Sequence, residues 1–517
     1  MKLTDYTTHA DAQRYYASAR LWELFDGDRE HLNLAHECID RHAGEPDRVA
    51  VRVVRGDGND EILTFQDIAR VSSRFAHWLD RLGVAKGDRI AIMLEPSLPF
   101  YAAVFGAIKQ GAVAVPLFTL FGPDGVRLRV DDCRPAHLVT NADKWSTTRS
   151  LQDTQVHLDS DVMAAISELP STYHINSRAN DMAAFQYTSG TTRDLPDAVK
   201  HTHRAVVVVT NAALYATGIR PGDRFFCPSS PAWGHGMWHG TFAPLAMGVE
   251  TGTFAGRFSP ERLLEALAQY QITNLSAAAT HYRMMMNCGT GRAHDYNITK
   301  LSFTGEPIDT ETARYTQELF GVPVCSMYGT TEIGVILAGY PGASDFEFKA
   351  GSLGRPVPGV DVGVLGPDGT PCPVDEIGEI MVRRRDGWVS TRDRGWVDSD
   401  GYFFHAGRAD DVIISAAYTI GAIEVEDTLL KHADVIEAAV IGVPDALRGQ
   451  VVKAFVVSGR EEDRDFISEL QEFVRERLSA HEYPRHIEFV DALPKTPAGK
   501  VNRKALRDRG AATPTAS

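Results

Sequence analysis

The chain has 517 residues, 44% hydrophobic and 23% charged, with a formal net charge of −15; that length calls for two or more domains of ordinary globular composition. The negative balance argues against a nucleic-acid or anionic-membrane surface, where phosphate neutralisation needs clustered Lys and Arg. Six cysteines, Cys38, Cys133, Cys227, Cys288, Cys325 and Cys372, form no CxxC pair and no zinc-ligand spacing, which reads as inert thiols in a reducing compartment.

The opening stretch MKLTDYTTHADAQRYY has no apolar core of the secretory kind. The nearest approach to a membrane span, AAVFGAIKQGAVAVPLF, is broken by Lys109 and Gly111 into a helix and a strand. A soluble cytoplasmic protein with no nucleic-acid or membrane partner is expected, with a homodimer left open. In chain order, RIAIML (Arg89–Leu94) reads as a strand, YAAVFGAIKQG as a helix ending on Gly111, and AVAVPL as a buried strand. Ser259 and Pro260 open a helix in SPERLLEALAQYQ, and TNLSAAA resumes as a strand. Strand–helix–strand order implies an α/β fold with parallel sheets layered with helices.

The last hundred residues read as a separate α+β unit: helix AIEVEDTLLKH, strands EAAVIGV and VVKAFVV, helix FISELQEFVRERL and strand HIEFV. Phe466, Ile467, Leu470, Phe473, Val474 and Leu478 mark one face of that second helix. The boundaries expected are a large domain over 1–409, a small one over 410–508, and a disordered tail over 509–517, with the turn GRADD (Gly407–Asp411) as the hinge.

The stretch TSGTTRDLPDAVKHTH, from Thr188, packs Gly, Ser and Thr as a phosphate-holding turn does. The GxxxxGK phosphate-loop pattern is absent. Alone, a polar surface turn explains it equally well. Four further segments change that: TGEP (Thr304–Pro307), MYGTTEIG (Met327–Gly334), STRDRGWVDSDGYFFHAGRADDVI (Ser390–Ile413) and PKTPAGKVNRKAL (Pro494–Leu506).

In this order the five segments resemble the adenylate-forming superfamily of acyl-CoA synthetases, peptide-synthetase adenylation domains and luciferases, over nearly the whole chain. The resemblance implies attack of an oxyanion on the α-phosphorus of ATP with Mg2+, release of pyrophosphate, then displacement of AMP by a second nucleophile such as CoA. It implies a small mobile C-terminal domain. Thr188, Ser189, Gly190, Thr191 and Thr192 match the phosphate loop. Glu332 matches the Mg2+ ligand, beside Gly329, Thr330 and Thr331. Gly305, Glu306 and Pro307 match the adenine pocket, with Tyr328 stacked on the base. Asp393 matches the ribose clamp and Arg408 a second ribose or phosphate contact. Lys500 matches the lysine that neutralises charge as the acyl-phosphate forms. Asp410 matches the pivot of domain rotation. The acid pocket falls to WGHGMWHG, with Trp233, His235, Trp238 and His239, together with SAAATHYRMMM and Ser326; its aromatic, polar character favours an aryl or short acyl group.

Two departures stand out. Arg193 and Asp194 replace the usual glycine after TSGTT, and Asp197 stands where lysine is usual. In ISAAYTIGAIEVE, Ile414, Ala417, Thr419 and Ala422 replace the usual Lys, Gly, Arg and Pro; by the resemblance, the methyl added at Ala417 narrows a pantetheine channel without blocking it, and loss of the Arg removes a CoA or nucleotide contact. The leading reading is an acyl- or aryl-CoA synthetase. The second is an adenylating ligase with a non-CoA acceptor, in particular an ATP-dependent diazotase that activates nitrite for transfer to an aryl amine. The third is a non-enzymatic nucleotide-binding protein of the same fold.

Overall fold

The computed structural model describes residues 1–187, 198–330, 333–408, 413–415, 418–445, 449–477, 483–496 and 499–512. The chain packs as two units. One is Met1–Thr304, Thr316–Glu347 and Val357–Gly359; the other is Gly305–Tyr315, Phe348–Pro356 and Val360–Ser517.

In the first unit, one sheet runs in the order Gly334–Ala338, Val324–Thr330, Lys300–Thr304, Asn274–Ala278, Arg224–Phe226, Glu250–Ala255, Val49–Arg55, Glu61–Thr64. Its inner pairings are parallel and its two outer ones antiparallel. A second sheet runs Gln155–Leu158, His137–Thr140, Arg89–Met93, Val113–Pro116, Met182–Gln186, Val199–Thr202, parallel except for the last pair. Asn274–Ala278 is buried at every position, as a parallel strand covered on both faces must be.

The helices of this unit form where capping and periodicity agree. Pro260–Gln269 starts on Ser259, whose hydroxyl accepts from the Arg262 N–H at 3.2 Å. Leu263, Leu264 and Leu267 are fully buried, each contributing about 1.5–3 kcal/mol. Leu98–Gln110 ends on Gly111 at φ 97°, a left-handed cap that glycine adopts without a Cβ clash. It begins three residues before Tyr101 because Ser97 caps it. Several helices are not among those read from the sequence, Phe65–Arg81 and Thr310–Phe320 among them. Another, His9–Tyr15, is capped by Thr8 and has its first backbone N–H groups, those of His9 and Ala10, held by the Asp345 carboxylate at 2.6 and 2.9 Å. No described helix is long and apolar enough to cross a membrane, and all six cysteines are free thiols.

The second unit holds an antiparallel sheet in the order Val362–Leu365, Gly378–Arg384, Gly387–Val397, Phe403–Arg408, Ser352–Pro356. The sequence reading had not resolved these strands. It also holds the small sheet Tyr418–Ile420, Ile413–Ser415, Gly449–Ser458, Val435–Asp445, with His486–Phe489 parallel to Gly449–Ser458. The expected helices stand at Ala422–Leu430 and Arg464–Arg477. Phe466, Leu470 and Val474 pack fully buried with Val425, Leu429, Val440 and Val452.

One expectation is corrected: residues 509–512 are not a disordered tail. They are the end of the helix Arg503–Ala512, anchored by buried Leu506 and by an Arg509–Glu488 ion pair at 2.6 Å. By contact the strands from Val362 to Arg408 go with the C-terminal part.

Candidate active site

Thr188, Ser189, Gly190, Thr191, Thr192, Arg193, Asp194, Asp197, Thr331, Glu332, Asp410 and Ala417 lie outside the described residues. What flanks them is described. Strand Met182–Gln186 leads into Tyr187, which is buried at the root of the Thr188 loop. Its hydroxyl donates to Asp132 Oδ2 at 2.5 Å and to the Arg129 carbonyl at 3.1 Å. Burial, reinforced by that bond to Asp132, pushes the phenol pKa up, so Tyr187 is a fixed neutral donor. The chain returns along Val199–Thr202, where the Lys200 ammonium sits over the Phe185 ring at 5.5 Å.

The WGHGMWHG stretch is a π-helix over His235–Phe242, a rare winding that recurs at functional sites. His235 is buried, with Nδ1 at 2.9 Å from Ser229 Oγ and Nε2 at 2.9 Å from Ser276 Oγ. Both nitrogens are engaged, and burial holds its pKa well below the usual histidine value. Trp238 is buried and donates from Nε1 to Gln186 Oε1 at 2.9 Å. Half-buried His239 sits with its ring 6.1 Å from that of His235, and its Nδ1 is buried without a hydrogen-bond partner. Trp233 is half-buried, 5.4 Å from the His235 ring. Burial holds His239 and His281 down to about 4, so these imidazoles are neutral near pH 7.

Ser326, buried, and Tyr328, half-buried, lie on Val324–Thr330, which pairs with Gly334–Ala338. The register shifts between Tyr328 and Gly329, and a Cβ on Gly329 would fall 2.0 Å from the Gly334 carbonyl oxygen. Only glycine permits that approach. Thr330 Oγ1 accepts from the Ile333 N–H at 3.3 Å.

In the second unit, Gly305 follows strand Lys300–Thr304 at φ 98°, so TGEP turns at a residue free to be left-handed. Glu306 and Pro307 follow at partly and fully exposed positions. Asp393 is 6% exposed on Gly387–Val397, directly opposite Arg408 on Phe403–Arg408. Of Arg408 only the backbone is described. The strand is bulged here: Arg392 adopts φ 61°, and the register shifts on either side of it. Ser390 Oγ accepts from the Arg392 N–H at 2.9 Å and Thr391 Oγ1 from the Asp393 N–H at 3.1 Å. A bulge re-aims a side chain, and here it delivers a carboxylate with His405 Nε2 at 3.7 Å.

Lys500 closes a tight turn. The Thr496 N–H donates to the Lys500 carbonyl at 2.7 Å, Gly499 stands at φ 82°, and Lys495 bridges Val501. Arg503 donates to both oxygens of Glu426 at 2.7 and 2.6 Å, and Glu426 also accepts from the Val440 N–H at 2.7 Å. The PAGK turn and the GAIEVE helix are thereby pinned to one framework. Sequence reading missed Gln186, Tyr187, His201, Arg392, His405 and Glu426. The one visible signal was the polar interruption of MAAFQY at Gln186.

Comparisons with known proteins bear on the family. A family model described as AMP-binding enzyme matches residues 39–389, and one described as AMP-binding enzyme C-terminal domain matches residues 424–500. The chain is 31% identical over 521 residues to acetyl-coenzyme A synthetase of Bacillus subtilis (strain 168), covering 92% of this chain and 90% of that protein. It is 28% identical to 4-hydroxybutyrate–CoA ligase 1 of Metallosphaera sedula, covering 87% and 85%. The crystal structure of an acyl-CoA synthetase from Brucella canis superposes with a TM-score of 0.77 at 30% identity, covering 98% and 99%.

Proposed function

This chain belongs to the AMP-binding enzyme family and is an ATP-dependent, AMP-forming ligase, and from that premise we propose that it activates a small aryl or short-chain monocarboxylic acid and transfers the acyl group to CoA. A carboxylate oxygen attacks the α-phosphorus of ATP, a mixed acyl-phosphate bond forms, and the bond to pyrophosphate breaks. The CoA thiolate then attacks the acyl carbon and AMP leaves. Neutral histidines, His235 and His239 on the π-helix and His281 on the helix Ala279–Asn287, give a second carboxylate no charge to pair with, which favours a monoacid. Relatives named as acetyl-CoA synthetase and 4-hydroxybutyrate–CoA ligase support CoA as acceptor.

The observation that carries the reading is Asp393 opposite Arg408. A buried carboxylate can accept from both hydroxyls of a ribose, and an arginine opposite it suits the adjoining phosphate. Tyr328 is assigned to the base, Gly305, Glu306 and Pro307 to the adenine edge, and residues 188–192 to the phosphates. Lys500 is assigned to the charge that develops at the α-phosphorus. Trp233, His239 and Ser326 are assigned to the acid. Glu332 as the residue holding Mg2+ against the phosphates, and Asp410 as the pivot between 1–409 and 410–508, rest on the sequence. Free thiols throughout fit a reducing cytoplasm.

The test is pyrophosphate release from ATP and Mg2+ without CoA, across acetate, butyrate, benzoate and hydroxybenzoates, with nitrite as a separate arm. Release with a carboxylate, followed by a thioester once CoA is added, is the expected outcome. Release with nitrite alone, raised by an aryl amine, would overturn it.

A further inference from the structure

Gln186 ends the strand Met182–Gln186, two residues before Thr188, and is 2% exposed. Its Oε1 accepts from Trp238 Nε1 at 2.9 Å. An indole N–H only donates, so the amide oxygen must face it and the NH2 group is what remains. That Nε2 is buried with no hydrogen-bond partner. It lies against the Trp233–Gly234 turn: a Cβ on Gly234 would fall 2.3 Å from it. The register pairs Gln186 with Val199 and Ala184 with His201, so Gln186 and His201 share one face of the hairpin. The His201 ring packs 4.5 Å from the Trp238 indole, and its Nε2 is also buried without a partner. Burial keeps His201 neutral, its pKa held down to about 4.

Two neutral polar atoms on one face of the hairpin, both against one indole, lie without partners in a core where buried polar groups otherwise find them. The two strands that carry them flank residues 188–197 in sequence, and the indole belongs to the π-helix proposed above for the acid.

We propose that the Gln186 side-chain NH2 is a substrate-binding donor, held by Trp238, for an oxygen of the acid being activated. Trp238 is a positioning residue: its N–H fixes which end of the amide faces the ligand. His201 buttresses the indole and offers a second neutral polar atom beside it. The inference rests on the carboxylate-activating function proposed above.

The experiment is titration of the wild-type protein, Gln186→Glu and Trp238→Phe with acetate and with benzoate in the presence of ATP. It follows both the thermal shift and the KM for acid and for ATP in pyrophosphate release. Gln186→Glu keeps an oxygen toward the indole and replaces the donor by an acceptor. Its acid KM is expected to rise about tenfold or more with the ATP KM held near wild type, whatever the buried carboxylate costs in unliganded Tm. Trp238→Phe keeps the ring and frees the amide to turn, and a smaller rise of the same kind is expected. An unchanged acid KM in Gln186→Glu, or acid and ATP KM rising together, overturns the inference while leaving the function standing. A wild-type protein that neither binds nor activates any carboxylate overturns both.

Discussion

Asp393 and Arg408 face each other across adjacent antiparallel strands, and the residue before Asp393 is left-handed. A carboxylate held at 6% exposure can accept from the hydroxyls of a ribose, which is the role proposed for it. Asp393→Asn is expected to raise the KM for ATP about tenfold or more, because a charged acceptor contributes roughly 1.5–3 kcal/mol to a hydrogen bond. Direct ATP binding by calorimetry checks this; wild-type affinity in the variant would remove Asp393 from the nucleotide site.

Arg392 carries the strain of the bulge at φ 61° with an exposed side chain. Left-handed backbone costs a non-glycine residue about 1–2 kcal/mol, part of which glycine gives back as chain entropy. Arg392→Gly should therefore stabilise the fold by up to about 1 kcal/mol in denaturant unfolding. Destabilisation instead would mean that the arginine side chain holds the bulge.

Lys500 sits in a turn closed by its own backbone, with Gly499 left-handed beside it. Lys500→Ala should leave that turn and the Tm intact. It should slow pyrophosphate release by about a hundredfold or more while ATP affinity stays near wild type, as loss of a transition-state contact does. Stopped-flow pyrophosphate release measures it, and adenylation at the wild-type rate would end the assignment.

Burial pulls His42, His201, His203, His239 and His281 to about 4 and His235 well below its ordinary 6.5. Between those values the unfolded chain takes up protons that the folded chain refuses. Stability is therefore complete above pH 6.5 and falls as pH drops toward 4, by at most about 1.4 kcal/mol per pH unit for each histidine. Tm is expected to decline steadily from pH 7 to pH 5, and His239→Gln to soften the slope. A flat profile would show that these imidazoles gain solvent or partners when protonated.

The elements legible in the sequence are those whose information is local. Ser259, Pro260 and three buried leucines write the Pro260–Gln269 helix by themselves. The apolar stripe Phe466–Leu470–Val474 did the same for the C-terminal unit. The strand Gly387–Val397 stayed hidden because its buried positions are Thr391, Asp393 and Gly395, which carry no hydrophobic alternation for a period-two pattern to reveal. The helix His9–Tyr15 carries a local cap at Thr8 but buries only Ala12, so it shows no apolar stripe, and the Asp345 carboxylate that holds its first N–H groups is some 335 positions away. Within the acid pocket, Trp238 was singled out for its ring, while its N–H partner Gln186 lay 52 positions earlier. The residues packed around the motif segments, such as Glu426 with Arg503, emerged only from tertiary contacts.

The parallel pairing of Val49–Arg55 with Glu250–Ala255 bears on how the chain is made. A ribosome adding about 5–20 residues per second needs roughly 10–40 seconds to travel from one strand to the other. The Asp345 cap on the His9–Tyr15 helix arrives later still. The strand Val49–Arg55 can pair at once with its neighbour Glu61–Thr64, while its other edge stays open until residues 250–255 are made.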